Sequence, residues 1–403
     1  MRVIDNKQVE ISATLDPMEV PVRKVEFDYL RAFAVVLVLF HHSLLSYTLF
    51  ASINLENPIA TGSPVVNEQR WPIFDLIVAY NETFLMPLLF FVSGIFVWQS
   101  LARKGVLKYI GGRLKRLGLP FVIGVFTMIP LAYYPAKLQV GAITGVNSTY
   151  GAFWLDMLLS GFGTAGPLWF LWLLLAFDCL AALLYRLAPS SRLLIEKSST
   201  FILTSPVAFF GALLGISIAA YLPLAIIFGP LKWIGIGPFH AQASRILLYL
   251  VYFLAGAVIG AYGIERSMFG REGTFTRRWW VFLAVGLIFF IVFIAMILVD
   301  TDWDRSIVKE IAFVLCCGAT VSGITGFFQR FARRRAGIFD SLSKNSYGIY
   351  IVHYIFVVWL QYLLLRNPLA PGVKGIAVFS GTLILSWGTV AALRCIPAVA
   401  KII

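Results

Sequence analysis

Several ionisable residues sit inside apolar stretches, where a chain this greasy should hold almost none. The segment FDYLRAFAVVLVLFHHSLL carries Arg31 and, eleven residues later, His42. At ~100° and ~1.5 Å per residue, that spacing is three turns plus ~20°, so the two side chains share one helix face about 16 Å apart. Imidazole titrates near neutral pH and is a common general base. The face therefore sets a cation near one end and a titratable ring deep inside, near mid-membrane. His41 falls ~80° off it and reads as a structural residue. Asp28, three residues before Arg31, is placed to pair with it. Glu82, in DLIVAYNETFLMPLLFFVSG, can orient a histidine, bind an acceptor hydroxyl or hold an ion pair. His353, in KNSYGIYIVHY, lies ~13 Å along its helix from Lys344, with Tyr347 and Tyr350 in the same segment. It is a second deep histidine that can meet His42 in one cavity. Each of these residues also has a plainer reading, as a core group hydrogen-bonded to a neighbouring helix. Against that reading stands the cost of an ionisable group at membrane depth, ~2.5–3.5 kcal/mol or more, which marks such residues as functional by default.

Arg113 and Arg116 flank Lys115 in RKGVLKYIGGRLKRLGLPF. Basic residues before a span set orientation or touch lipid; alternatively they dock an anionic donor, since guanidinium matches phosphate geometry. The glycines here form neither a P-loop nor a dinucleotide fingerprint. Asp178 reads as structural, and His240 lies in an outer loop. Tyr150, Phe153 and Trp154 suit either sugar stacking or interfacial anchoring, with anchoring favoured. Cys179, Cys316, Cys317 and Cys395 all lie in apolar stretches without metal spacing and read as buried thiols.

The elements that must position these residues follow from composition. Of 403 residues, 59% are hydrophobic and 13% charged, with a mean hydropathy of +0.84. Soluble domains average about 45–50% and about 25%. A soluble enzyme, a disordered chain and a disulfide scaffold are excluded, leaving a protein whose solvent is largely lipid. A bilayer core of ~30 Å needs ~20 apolar residues. Ten such helices are predicted, near 29–50, 76–101, 118–135, 166–187, 205–228, 244–264, 279–299, 307–331, 345–365 and 373–397. The net charge of +13 is not read as a nucleic-acid signal, because most of the 33 Lys and Arg fall in alternate loops. Those loops (102–117, 186–204, 265–278, 329–344) and both chain ends are assigned to the cytoplasm. The expected architecture is an all-α integral membrane protein of about ten transmembrane helices with both termini cytoplasmic. Residues 1–26 form a cytoplasmic tail without a signal peptide's apolar core. Residues 27–403 form one membrane domain.

Five strings resemble, in order, those of the membrane acyltransferase-3 family: the Arg31-x10-His42 pair, FFVSG at 90–94, RLKRLGLP at 113–120, PLWFLWLLL at 167–175 and NSYGIYIVH at 345–353. The branch most similar is that of glucan-biosynthesis protein C, a periplasmic glucan succinyltransferase-like group. The resemblance implies a multi-pass enzyme of the bacterial inner membrane. It would move an acyl group from a cytoplasmic acyl-CoA, acetyl-CoA or succinyl-CoA, to a carbohydrate hydroxyl on the far side, with no tightly bound cofactor or metal. The family's Arg-x10-His pair falls on Arg31 and His42, and its paired-arginine motif on Arg113 and Arg116. No appended hydrolase-like domain is expected. On these terms Arg31, Arg113 and Arg116 would hold the CoA phosphates. His42 would act as general base or transient acyl carrier, with Glu82 and His353 as partners. The main alternative is a multi-span secondary transporter, whose paired interrupted helices are not evident here.

Overall fold

A computed structural model describes residues 24–59, 61–161, 163–187, 205–299 and 306–403. Most of the expected tail, and parts of the expected loops 186–204 and 300–309, lie outside the described residues. The helices that carry the fold are α1 Val25–Leu45, α2 Pro72–Ile95, α3 Val97–Lys104, α4 Val106–Arg113, α5 Leu119–Thr144, α6 Tyr150–Leu159, α7 Trp169–Leu187, α8 Pro206–Phe228, α9 Ile246–Tyr262, α10 Trp279–Val299, α11 Ile307–Phe331, α12 Gly337–Leu363 and α13 Pro371–Leu393. Between α8 and α9 a hairpin pairs β1, Trp233–Ile236, antiparallel with β2, Phe239–Gln242. Its turn opens on Gly237, whose φ of 57° suits the first position of a two-residue turn.

Among the described residues, nine helical stretches are long and apolar enough to cross a membrane. The remaining predicted span, 244–264, is the shorter α9 of 17 residues. It is ~25 Å long, close to the lower bound for spanning. Helix ends differ from expectation where side chains were weighed without backbone needs. The third span runs on to Thr144 through Pro130 and Pro135. In apolar surroundings a helix keeps its remaining backbone groups paired, which outweighs the bonds that proline removes. The basic segment 102–117 is not a loop. It is α3, a break at Gly105 with φ 73°, α4, and a π-turn over Leu114–Gly118.

The layers follow from how much apolar surface each helix hides. α2 and α11 are mostly buried, whereas α10 buries only Gly286 and Phe290 and is apolar all round. A helix of that kind needs lipid or protein on every side. α8, α10 and α13 therefore form the periphery around α1, α2, α11 and α12. The tightest crossing is α2 on α9. A Cβ at Gly94 would lie 2.0 Å from the Phe253 carbonyl oxygen, one at Gly256 2.1 Å from that of Phe91, and one at Gly260 1.9 Å from that of Ile95. Small residues four apart let backbones meet in this way.

The two ends of the bundle are distinct. At the basic end, Lys24 Nζ reaches Glu265 at 2.8 Å, and the Tyr29 hydroxyl donates to Asp340 at 2.9 Å. At the opposite end, Asn67 and Trp71 return to the residues that follow α1: the Asn67 amide donates to the Ser46 carbonyl and the Trp71 amide to the Tyr47 carbonyl, each at 2.9 Å. Cys316 and Cys317 are buried as expected, but Cys179 and Cys395 are exposed, because they sit on outward faces of apolar segments.

Candidate active site

α1 stops at Leu45, not near residue 50, so His42 lies in its last turn. Its ring meets α12. His42 Nδ1 is 3.1 Å from His353 Nε2, and the rings lie 5.2 Å apart at 28°. His353 is fully buried, and its Nδ1 stands 2.6 Å from the Tyr350 carbonyl oxygen. A carbonyl only accepts, so His353 Nδ1 carries the proton. In a neutral ring Nε2 then accepts, which makes His42 Nδ1 the donor. His42 Nε2 is left with its lone pair. Gln361, two turns further along α12, donates to the carbonyls of His42 at 2.9 Å and Ser43 at 3.4 Å. These are helix-end carbonyls without intrahelical partners. One helix therefore fixes both the ring and the backbone of His42.

His42 lines a cavity of ≈ 560 Å³, while His353 stands behind it. Trp169, Trp233, Tyr249 and Phe313 supply aromatic wall, and Tyr350 closes the side toward the basic end. The Tyr350 hydroxyl donates to the Pro167 carbonyl, so the start of α7 is held at that depth. Glu82 also lines the cavity, but its partners differ from the expected His42. Its Oε2 accepts from Arg245 at 2.5 Å and its Oε1 faces His41 Nε2 at 3.4 Å. The reason is angular: His41 and His42 are consecutive, so their side chains point ~100° apart, one toward α2 and one toward α12. A further charged group completes the wall. Lys309 Nζ lies 3.0 Å from Glu310, which accepts from the Tyr221 hydroxyl at 2.6 Å.

The three arginines assigned to donor binding stay at the basic end. Arg31 stands 4.0 Å from Asp28 and its guanidinium lies 4.5 Å from the Phe96 ring. It is three helical turns from His42 and does not line the cavity. Arg113 Nε is 3.0 Å from Asp178, which also accepts from the Tyr109 hydroxyl at 2.5 Å. Arg113 is thus partly committed to a buried carboxylate. Arg116, on the π-turn, is exposed and lies 5.8 Å from the Tyr347 ring, whose hydroxyl donates to the Arg116 carbonyl. π-turns recur at functional sites. Tyr347 is six residues, ~9 Å, before His353 on α12, so one helix links the basic mouth to the histidine pair.

The aromatic trio of the long outer segment does not form an open platform. Phe153 is buried against Tyr134, and the Trp154 indole donates to the Phe126 carbonyl at 2.9 Å. Residues that the spacing argument missed are His41, Arg245, Tyr221, Lys309 and Glu310. The available signal was a cation or an ion pair at the start of an apolar span, in SRILLYL for Arg245 and VKEIAF for Lys309 and Glu310.

A family model described as an acyltransferase domain matches residues 24–391. No curated protein and no solved structure matches the chain. The match covers nearly the whole chain and takes in every residue of the cavity wall, and on that ground the chain belongs to the acyltransferase-3 family of membrane acyltransferases.

Proposed function

We propose that this acyltransferase moves an acetyl or succinyl group from a cytoplasmic acyl-CoA to a hydroxyl of an extracytoplasmic glycan. The observation that carries the reading is the His42–His353 pair, which leaves Nε2 unprotonated on a ring that lines a cavity of ≈ 560 Å³. In this reading both termini are cytoplasmic, residues 27–403 act as one unit in a bacterial inner membrane, and the chain crosses ten times with α9 as the short span. The concentration of Lys and Arg at one end supports that orientation. Likeness to the glucan-biosynthesis branch supports a glucan acceptor and keeps succinyl among the donors.

Arg116 takes a CoA phosphate at the basic mouth, assisted by the outer nitrogens of Arg113 and by Arg31. The pantetheine arm follows α12 past Tyr347 and Tyr350 and delivers the thioester to His42 Nε2. His353 holds the reacting tautomer through its own bond to the Tyr350 carbonyl, as a carboxylate does for a catalytic histidine elsewhere. The glycan hydroxyl enters from the opposite end. The aromatic walls keep water away and limit thioester hydrolysis. Detergent-purified protein should bind acetyl-CoA saturably, and His42→Ala should abolish acyl transfer with protein abundance unchanged. A variant that still acylates at the normal rate contradicts the assignment.

A further inference from the structure

The cavity wall carries two ion pairs, Glu82 with Arg245 and Lys309 with Glu310. Their members are not equally open. The side chains of Lys309 and Glu310 are each 2% exposed and that of Arg245 is 6% exposed, whereas that of Glu82 is 40% exposed. Glu82 stands between buried Asn81 and Thr83 on the mostly buried α2 and lines the cavity, so the cavity is the space it meets. The charge that a ligand there encounters first is therefore negative. Arg245 holds this carboxylate in place, donating to Oε2 at 2.5 Å and to the Glu82 carbonyl at 3.3 Å. His41 Nε2 is 3.4 Å from Oε1. An ionised carboxylate has about four lone-pair sites, so these contacts leave acceptor capacity over.

The chain that supplies Arg245 also brings an aromatic face. Gln242, three residues earlier, is opposite Trp233 in the hairpin, and both line the cavity. Side chains directly opposite on paired strands point to one face. A flat indole and a carboxamide thus stand side by side. The Arg245 amide donates to the Gln242 carbonyl at 3.0 Å, so the end of β2 turns straight into the ion pair. Trp169 meets Trp233 edge-on at 5.7 Å and stacks on Tyr249 at 5.7 Å. Trp169 begins α7, and Asp178, the partner of Arg113, lies nine residues, ~13 Å, further along it. The hairpin therefore stands at the end away from the basic mouth, where the acceptor enters.

A sugar ring has C–H faces that pack on aromatic rings and a rim of hydroxyls that need hydrogen-bond partners. A largely apolar wall with a few fixed polar groups suits it, and ≈ 560 Å³ falls within the ~300–1,000 Å³ usual for ligand sites. Resting on the acyl-transfer reading, we infer that Trp233, Gln242 and Glu82 form the subsite that holds the acceptor sugar, and that the open carboxylate selects an uncharged sugar over an anionic one. Hydroxyls donate to Glu82 and bond to Gln242 while a sugar face lies on Trp233. An anionic sugar such as a uronate brings a second carboxylate beside Glu82, where both cations of the wall are already paired. Like charges brought together in a poorly hydrated site cost affinity. Glu82 and His42 flank the His41 ring, which is 3.4 Å from Glu82 Oε1 and 5.4 Å, centre to centre, from the His42 ring. A hydroxyl bound at Glu82 and another presented to His42 are thus within reach of adjoining sugar residues.

Calorimetric binding to the full-length protein in lipid nanodiscs tests this, with no maltoside detergent, whose headgroup is itself a sugar. The probes are acetyl-CoA, a neutral glucan oligosaccharide and an oligoglucuronate of the same length. Wild type should bind the glucan saturably and the oligoglucuronate at least ~10-fold more weakly. Trp233→Ala and Gln242→Ala should each weaken glucan binding by about 3–10-fold, and Glu82→Gln by about 10–100-fold, the range for a hydrogen bond to a charged group. Glu82→Gln should also abolish the preference for the neutral oligomer, which a general loosening of the cavity would not do. All three variants should bind acetyl-CoA as wild type does, which reports a folded protein; if Glu82→Gln fails to fold, the two hairpin variants decide. The inference is overturned if wild type binds acetyl-CoA but no glucan, if it binds the oligoglucuronate as tightly as the glucan, if both hairpin variants keep wild-type glucan affinity, or if folded Glu82→Gln keeps the wild-type preference. If wild type does not bind acetyl-CoA, the acyl-transfer reading itself fails.

Discussion

At the scale of single residues, the site is a set of hydrogen-bond directions. His353 donates from Nδ1 to the Tyr350 carbonyl, and this fixes which nitrogen of His42 is bare. Replacing His353 with Ala should lower the rate of transfer by roughly 100-fold, between the effect of losing an outer-shell partner and that of the wrong tautomer in a hydrolytic triad. It should leave acyl-CoA binding nearly unchanged, because His353 does not line the cavity. Steady-state kinetics check this as a fall in kcat with KM preserved; a rise in KM at constant kcat would mean that His353 serves binding alone. Much of this pairing was legible in the chain, since His42 and His353 were the deep histidines and one cavity could hold both. The partner of Glu82 was not. An eleven-residue spacing identifies the face shared with Arg31, but which of two adjacent histidines meets a carboxylate on another helix depends on the rotation of α1 against α2. Only packing sets that rotation.

At the scale of elements, α2 and α9 are locked by glycines that the sequence presents as ordinary members of apolar runs. Their backbones approach closely at three of them, Gly94, Gly256 and Gly260. Arg245 sits at the start of α9 and Glu82 lies on α2, so this crossing also sets the ion pair beside His41. Gly256→Leu should destabilise the fold by at least ~1–3 kcal/mol, the cost of overpacking a close-packed contact. Thermal unfolding in detergent should show a lower Tm for it and no change for Gly388→Ala, where an added Cβ meets nothing within 4 Å. Equal Tm values for both would mean that the α2–α9 crossing yields. Helix existence was legible from apolar length throughout. Helix ends were not, because Pro130 and Pro135 look like stops in sequence, while the need to keep backbone groups paired carries α5 on to Thr144.

At the scale of the whole molecule, the fold separates two chemistries by length. The basic groups Arg31, Arg113 and Arg116 gather at one end, and the histidines open on a cavity toward the other. α12 spans the gap, carrying Tyr347, Tyr350, His353 and Gln361 in succession. The peripheral helices α8, α10 and α13 bury little of their apolar surface inside the bundle and surround this path. The Arg31–His42 face is only part of the site: the chemistry spreads over α1, α2, α9, α11 and α12, which meet only in the folded bundle. The central claim is that one cavity histidine passes an acyl group from one side of a membrane to the other. Sealed vesicles with the basic end outward test it most directly, with radiolabelled acetyl-CoA outside and a glucan enclosed. Label should appear on the enclosed glucan with wild-type protein and be absent with His42→Ala. Label found only on glucan added to the acetyl-CoA side, or transfer undiminished in His42→Ala, would contradict the account.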